Sequence, residues 1–176
     1  MQGEVLLKLA RGTLEEAFGG PSFPLPDHGW LFEKRAVFVT LHKDGELRGC
    51  IGQLAARYAL HEAVRYAATS AAFHDPRFPA VTRDELGALQ IEISVLSPLE
   101  AVEARTEEEA LERIEAGLHG VVLSHGHRSG VFIPEVWKQL PDKREFLLHL
   151  KRKAGLPREW LPGTRVERFT AQLWSE

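Results

Sequence analysis

The chain has 176 residues, 44% hydrophobic and 27% charged, which is the composition of a globular protein and a length suited to one domain. A formal charge of −3 and a pI near 6.3 argue against general electrostatic binding to nucleic acid. One cysteine excludes an internal disulfide and a four-cysteine zinc site, and no apolar run approaches the roughly 18 residues of a membrane span. We expect a cytoplasmic protein.

The residue usage resembles that of proteins that work at high temperature. There is no Asn, Arg (15) outnumbers Lys (7), and Glu (20) outnumbers Asp (5). Loss of heat-labile side chains and enrichment in Glu are typical of such proteins. A GC-rich genome would produce part of the same bias, so the inference concerns the source and not the chemistry.

The first part of the chain predicts a helix followed by a hairpin. Residues 4–18 have helical spacing, which Gly12 interrupts, and Thr13 is a candidate N-cap for a second start. A loop rich in proline and glycine follows. Two β-branched runs then flank Asp44-Gly45, a strong signal for a tight hairpin, and Cys50 falls on its second strand.

The middle of the chain alternates helical and extended patterns. An alanine-rich helix is predicted over 59–73, a capping box at Thr82 and Glu85 precedes a helical turn, and residues 88–97 predict a strand. A second capping box, at Thr106 and Glu109, begins an acidic helix that we expect to end at Gly117.

The last part predicts a second hairpin over 120–134, a short helix started by Pro134, a helix capped by Asp142, and one final strand over 164–174. Two hairpins without a regular β-α-β rhythm predict an α+β fold around an antiparallel or mixed sheet with packed helices. Pro98 and the charged stretch after it are the expected division between two lobes.

Cys50 is the first candidate for chemistry. Arg48, two residues away on a strand, is predicted to point to the same face, where a cation would lower the thiol pKa or bind an anion. Gly49 and Gly52 allow a ligand or another backbone to approach closely. The alternative is that Cys50 is a small buried hydrophobic residue, as free cysteines often are.

A nucleophilic cysteine needs a histidine base that is near in space. His42, His74 and His119 are the candidates, and each taken alone is more often a surface or structural residue. The pair His125 and His127 lacks a third ligand, so no metal site is predicted. The chain contains no phosphate-binding glycine motif and no nucleophile elbow, so no cofactor is identified.

Several long segments resemble one family in order and spacing. Leu47 to Gly52 reads "LRGCIG", the signature of the AMMECR1 family. The segments "AAFHDPRFPAVTRDEL", "IEISVLSPLE", "GLHGVVL" and "FIPEVWKQLPDKREFLLHLKRKAGL" are similar to the family as well, so the resemblance covers nearly the whole chain.

The resemblance implies a single AMMECR1-like domain over residues 1–176, with an α+β fold in two unequal lobes and a cleft near the RGCIG segment. It points to a set of candidate site residues and makes His119 the preferred partner of Cys50. It also implies a pathway shared with Memo-like and radical-SAM proteins. The candidate residues are Arg48, Gly49, Cys50, Gly52, Asp75, Arg77, Glu92, His119 and Glu135.

Two functions remain open at this point. In the first, the chain is a cysteine-dependent enzyme or a protein that binds a small ligand, with Cys50 as nucleophile or thiolate, Arg48 holding an anionic group and His119 as acid or base. In the second, it is a non-catalytic interaction module in which Cys50 is structural. The substrate, the oligomeric state and the identity of a partner protein are not predicted.

Overall fold

The chain forms two compact units in a computed structural model that describes residues 1–176. The first unit comprises Met1–Leu96 together with Gln172–Glu176, and the second comprises Ser97–Ala171. The boundary falls next to Pro98, where the sequence suggests a division. Each unit has its own antiparallel pairings, and the chain is α+β, as predicted. None of the helices is both long and apolar enough to cross a membrane.

The first unit is a four-stranded sheet with two helices. The helices are α1 (Gln2–Ala17) and α2 (Leu60–Phe73), and the strands are β1 (Ala36–Lys43), β2 (Glu46–Gln53), β3 (Leu89–Leu96) and β8 (Ala171–Ser175). The sheet has the strand order β2-β1-β3-β8, so β1 is an inner strand and β2 lies at an edge. Short 3-10 helices occupy Gly29–Phe32 and Arg83–Ala88.

The core of this unit lies between one face of the sheet and the two helices. Helix α2 packs on β1 and β2, and α1 packs on α2 and β3. Side chains alternate across a strand, so every second residue of β1 and β3 enters this core. The fully buried residues from these two strands include Val39, Leu41, Ile91 and Ile93.

Helix α1 differs from its prediction because it runs unbroken through Gly12. A Cβ at this position would lie 2.7 Å from the Cβ of Phe23, so glycine allows the following loop to pack directly on the helix. Thr13 does not cap a second helix. Its hydroxyl donates to the Leu9 carbonyl one turn earlier, at 2.7 Å, which satisfies a buried polar group inside the helix.

The hairpin of β1 and β2 forms at Asp44-Gly45, as predicted. Both residues have positive φ, 53° and 80°, as a type I′ turn requires. Lys43 then pairs with Glu46 across the turn. This turn fixes the start of the register for the segment that contains Cys50.

A β-bulge interrupts the hairpin at Arg48, three residues beyond Gly45 of the turn. His42 pairs with Leu47, but Leu41 pairs with Gly49, so Arg48 has no partner in the register. An extra residue of this kind shifts all later side chains of the strand relative to its partner.

The bulge determines the side of the sheet to which Cys50 belongs. Without an extra residue, a two-residue hairpin would place Cys50 opposite Val39, which is fully buried in the core. With the bulge, Cys50 lies opposite Thr40 instead. Cys50 therefore faces away from the core between the sheet and α2.

The second unit contains its own four-stranded sheet. The strands are β4 (Glu100–Val102), β5 (Gly120–His125), β6 (Arg128–Phe132) and β7 (Arg165–Phe169), the helices are α3 (Glu107–Arg113) and α4 (Lys143–Lys153), and a 3-10 turn covers Pro134–Lys138. The strand order is β4-β7-β5-β6. The core is centred on Phe146, which is fully buried and stacks on Trp137 with ring centroids 3.6 Å apart.

Two boundaries in this unit differ from the sequence prediction. Helix α3 ends at Arg113 and not at Gly117, because Ile114 adopts an extended conformation and inserts into the core. The single strand predicted over 164–174 is two strands, β7 and β8, which belong to different sheets. Both segments alternate in the same way, and the sequence pattern did not show the break at Thr170.

Candidate functional site

Three polar residues form a row across the first sheet. Cys50 on β2 lies opposite Thr40 on β1, and Thr40 lies opposite Glu92 on β3. Directly opposed residues of antiparallel strands point to the same side, so all three face away from the core that α2 covers. We call Cys50, Thr40 and Glu92 the polar row.

The thiol of Cys50 is hydrogen bonded within this row. The Thr40 hydroxyl donates to Sγ at a distance of 3.1 Å, and Thr40 is itself buried, whereas Cys50 is half-buried. The short contact follows from the pairing, because side chains in a non-hydrogen-bonded antiparallel pair approach most closely.

The backbone of Cys50 is held by an aspartate and an arginine that follow α2. The Cys50 N–H donates to Asp75 Oδ2 at 2.9 Å, and Arg77 Nη2 donates to the Cys50 carbonyl at 3.3 Å. The Asp75 carboxylate also accepts from Arg77 Nε and Nη2, at 3.0 and 2.7 Å. We call Asp75 and Arg77 the edge clamp, since both backbone groups of Cys50 point away from β1 at the edge of the sheet.

Both residues of the edge clamp, Asp75 and Arg77, are charged and form an ion pair. Asp75 is 4% exposed, and its hydrogen bonds from Arg77 hold the pKa of that carboxyl well below its usual range. A buried aspartate at this site is therefore ionised at neutral pH, with Arg77 as its counter-ion. The predicted site residues Cys50, Asp75 and Arg77 are thus in direct contact.

Burial raises the pKa of the Cys50 thiol above its ordinary value. The hydrogen bond from Thr40 and the charge of Arg77 lower that pKa, and the charges of Asp75 and Glu92 raise it. Burial has the largest effect, so the thiol is protonated at neutral pH. A stabilised thiolate, as expected from a neighbouring Arg48, does not match these surroundings.

Arg48 is occupied elsewhere. Its guanidinium forms two hydrogen bonds to Glu85, from Nε at 3.0 Å and from Nη2 at 3.1 Å, and Nη1 donates to the Pro79 carbonyl at 2.9 Å. The prediction that Arg48 shares a face with Cys50 assumed regular alternation, which the bulge interrupts. Arg48 therefore ties the bulge to the segment that follows α2.

The two glycines that flank Cys50 allow close approach of backbone. A Cβ on Gly49 would lie 2.1 Å from the carbonyl oxygen of Ala71 in α2, and a Cβ on Gly52 would lie 2.3 Å from the carbonyl oxygen of Val37. Contacts under 3.0 Å are not tolerated, so both positions require glycine for packing.

Glu92, at the other end of the polar row, borders a recess of about 270 Å³. His42 and Gln90 line the same recess, together with Ser175 and Glu176. Glu92 is half-buried and takes part in no salt bridge, so its negative charge is not compensated by a neighbouring side chain.

His119 belongs to the second unit and is held by three hydrogen bonds. The ring Nδ1 accepts from the Glu115 backbone N–H at 2.9 Å. The backbone N–H of His119 donates to the Glu115 carbonyl at 3.1 Å, and the His119 carbonyl accepts from Trp137 Nε1 at 2.7 Å. Burial, and then the charge of Arg168, lower the pKa of the ring. Its expected partnership with Cys50 stays a prediction.

The remaining candidates have separate surroundings. Glu135 lies in the 3-10 turn Pro134–Lys138 of the second unit and is half-buried. His74 ends α2 and is exposed. No group of three or more His, Cys, Asp and Glu side chains is arranged to hold a metal ion.

Sequence reasoning missed two residues that shape the site, Thr40 and Glu85. Thr40 was not identified because a regular hairpin would pair Cys50 with Val39, and nothing in the local pattern indicates the bulge. Glu85 was identified only as part of a capping box, and its Oε2 does accept from the Thr82 N–H at 2.9 Å. The same carboxylate also binds Arg48.

Comparison with known proteins identifies relatives of the whole chain. The AMMECR1 family model matches residues 7–174. A protein of Methanosarcina barkeri is 40% identical over 100% of this chain and 91% of its own length, and one of Methanocaldococcus jannaschii is 39% identical over 99% and 90%. The crystal structure of an uncharacterized protein from Pyrococcus horikoshii matches with a TM-score of 0.90 and 39% identity, over 99% of this chain and 91% of that one.

Proposed function

Because this chain belongs to the AMMECR1 family, we propose a function for the segment that carries the family's LRGCIG pattern. The polar row on the first sheet binds a small ligand that donates hydrogen bonds, such as an amine or an amide. Cys50 takes part as a neutral, positioned thiol and not as a nucleophile. The observation that carries this proposal is the edge clamp, which fixes both backbone groups of Cys50.

Protection of an edge strand does not require the hydrogen bonds that Asp75 and Arg77 make to the Cys50 backbone. Edge strands are usually protected by a lysine, a proline or a bulge, and β2 already contains a bulge. A buried, ionised Asp75 bound to Arg77 adds rigidity at the one residue whose side chain faces outward beside Thr40. Rigid support of this kind is typical of binding sites.

The chemistry of the row favours a ligand with N–H groups. The Thr40 hydroxyl donates its hydrogen to Cys50, so its oxygen is left with lone pairs that accept. The Glu92 carboxylate is an acceptor without a counter-ion, next to the recess of about 270 Å³. Acceptors and one uncompensated negative charge suit a small cationic or amide-bearing molecule.

The role of the thiol is tested by the pH dependence of Cys50 alkylation with iodoacetamide, followed by intact mass. Only one cysteine is present, so the site of reaction is unambiguous. We expect native protein to be labelled with a midpoint above about 8.5, the value of an ordinary thiol. A midpoint well below that value would establish a stabilised thiolate and favour the enzyme.

Binding is tested with ethanolamine and putrescine as amine probes and succinate as an anion probe. We expect the amines to slow alkylation of Cys50 and to shift backbone resonances of β1 and β3, and Glu92→Gln to abolish both effects. Glu46→Gln, on the exposed end of the same hairpin, is the matched control. Equal loss in both variants, or no response to either amine, would contradict the proposal.

The second function, an interaction module in which Cys50 is structural, predicts a different result. In that case Cys50 would resist alkylation until the protein is unfolded, and the amines would have no effect. The expected pathway with Memo-like and radical-SAM proteins stays a prediction, to be tested by purification of such proteins together with this chain.

A further inference from the structure

A second recess, of about 450 Å³, lies in the second unit and shares no lining residue with the polar row. It is lined by one histidine, three cations and two carboxylates: His119, Arg113, Lys143, Arg168, Glu112 and Glu115, with Ile114 between them. We infer that this recess binds a small oxyanion, a carboxylate or a phosphate, between the His119 ring and the Lys143 ammonium.

The first argument is the fixed tautomer of His119. The Glu115 backbone N–H can only donate, so Nδ1, which accepts from it at 2.9 Å, has no proton. The proton of the neutral ring is therefore on Nε2. No protein group accepts from Nε2, so the ring offers one N–H donor at the recess.

The ring is kept neutral as well as oriented. A second proton would have to go on Nδ1, where it would oppose the Glu115 N–H. Burial and the charges of Arg168 and Lys143 lower the pKa of His119, although Glu115 and Glu100 act in the opposite direction. The hydrogen bond from Trp137 to the His119 carbonyl, at 2.7 Å, holds the backbone in place.

The second argument is the charge of Lys143. Its ammonium donates to the Leu111 carbonyl at 3.0 Å, at the end of α3, and it has no carboxylate partner. A main-chain carbonyl positions the ammonium without neutralising it, so two of its three N–H donors remain for a ligand. A half-buried cation without a counter-ion favours an anion.

Arg168 completes the wall of the recess. It is paired with Glu100, from Nη2 to Oε1 at 3.0 Å and from Nε to Oε2 at 3.2 Å, and it also donates to the Arg113 carbonyl. Its own charge is therefore compensated. The two carboxylates at the rim, Glu112 and Glu115, are exposed, and we expect them to exclude large polyanions while a small oxyanion reaches the half-buried donors.

The test is a titration of the full chain with inorganic phosphate and with acetate, followed by ¹H–¹⁵N spectra of the histidine rings. Loss of one ring signal in His119→Gln assigns the residue. In the free protein we expect the Nε2–H tautomer, and on titration we expect a saturable shift of the His119 signals. Saturation by phosphate alone or by acetate alone would identify which oxyanion the recess prefers.

Variants of Lys143 and Arg144 distinguish a specific oxyanion site from nonspecific electrostatic attraction of anions to the surface. Lys143→Gln removes a half-buried charge at the recess, and loss of a charged hydrogen bond should weaken binding about tenfold or more. Arg144→Gln is the matched control, because Arg144 is exposed and pairs with Glu108. Equal weakening in both variants, an Nδ1–H tautomer, or no saturable shift with either anion would overturn the inference.

Discussion

Several groups act in opposite directions on the pKa of the Cys50 thiol. Burial raises the pKa of Cys50, while the Thr40 hydroxyl and the Arg77 charge lower it. Because the donor is a side chain on the facing strand, the effect of the hydrogen bond can be separated from that of burial. A substitution at Thr40 that keeps the shape of the side chain removes the hydroxyl and leaves the packing.

We predict that Thr40→Val raises the pKa of Cys50 further. Loss of one hydrogen bond to the sulfur should move the alkylation midpoint upward by about half to one pH unit. The measurement is the rate of iodoacetamide labelling between pH 7 and 10. Thr13→Val, which removes another buried threonine hydroxyl of the same unit, is the control. An unchanged midpoint would mean that the Thr40 hydroxyl does not act on the thiol.

The element that positions Cys50 is a hairpin whose ends were predictable and whose middle was not. Asp44-Gly45 and the flanking β-branched runs predict both strands, and the structure confirms them. The bulge at Arg48 depends on partners far along the chain, Glu85 and Pro79, which no local pattern includes. The candidate residues could be named from the sequence, but their faces and contacts could not.

The cluster of Arg48 with Glu85 predicts a pH dependence of stability. Hydrogen bonds, chiefly from Arg48 and then from the Thr82 N–H and Lys43, lower the pKa of Glu85 from 4.5 to about 2 against the opposing effect of burial. Because this pKa is lower in the folded state, the stabilisation is complete above about pH 4.5 and is lost as the pH falls toward 2.

We predict that Glu85→Gln reduces the free energy of unfolding by about 1–2 kcal/mol at pH 7, and by less as the pH falls toward 2. Urea unfolding at several pH values measures this difference. The control is Glu46→Gln, because the Glu46 carboxylate is exposed and forms no salt bridge. We expect its free energy of unfolding to equal that of the unaltered protein at every pH. A constant difference between Glu85→Gln and the unaltered protein would contradict the assignment.

At the scale of the whole molecule, the two units have separate hydrophobic cores. Trp174 on β8 packs against Gly3 of α1 in the first unit, and Trp137 stacks on Phe146 in the second. The sequence predicted the α+β class and a division near Pro98, but it treated the last two strands as one. No local sequence pattern shows that β8 pairs with β3, a strand far from it in the sequence.

We predict that truncation of each tryptophan acts within its own unit. Trp174→Ala should reduce hydrogen-exchange protection in α1 and β3, and Trp137→Ala should reduce it in β5 and α4. Each should cost about 2–4 kcal/mol, with the smaller value for the half-buried Trp174. Exchange followed by mass spectrometry measures both. Equal loss of protection in the two units would show that the cores open together.

The path of the chain between the units has a consequence for folding during synthesis. The ribosome makes α1, α2 and β1 to β3 first, and β8 only after the second unit has been translated. Until then the outer edge of β3 is unpaired, which is the kind of edge that recruits strands from other chains. We expect the second unit to assist the pairing of β8, because the Ser97 N–H donates to the Thr170 carbonyl at 2.8 Å and so holds the two ends of that unit together. When the second unit has folded, we expect β8 to pair with the free edge of β3.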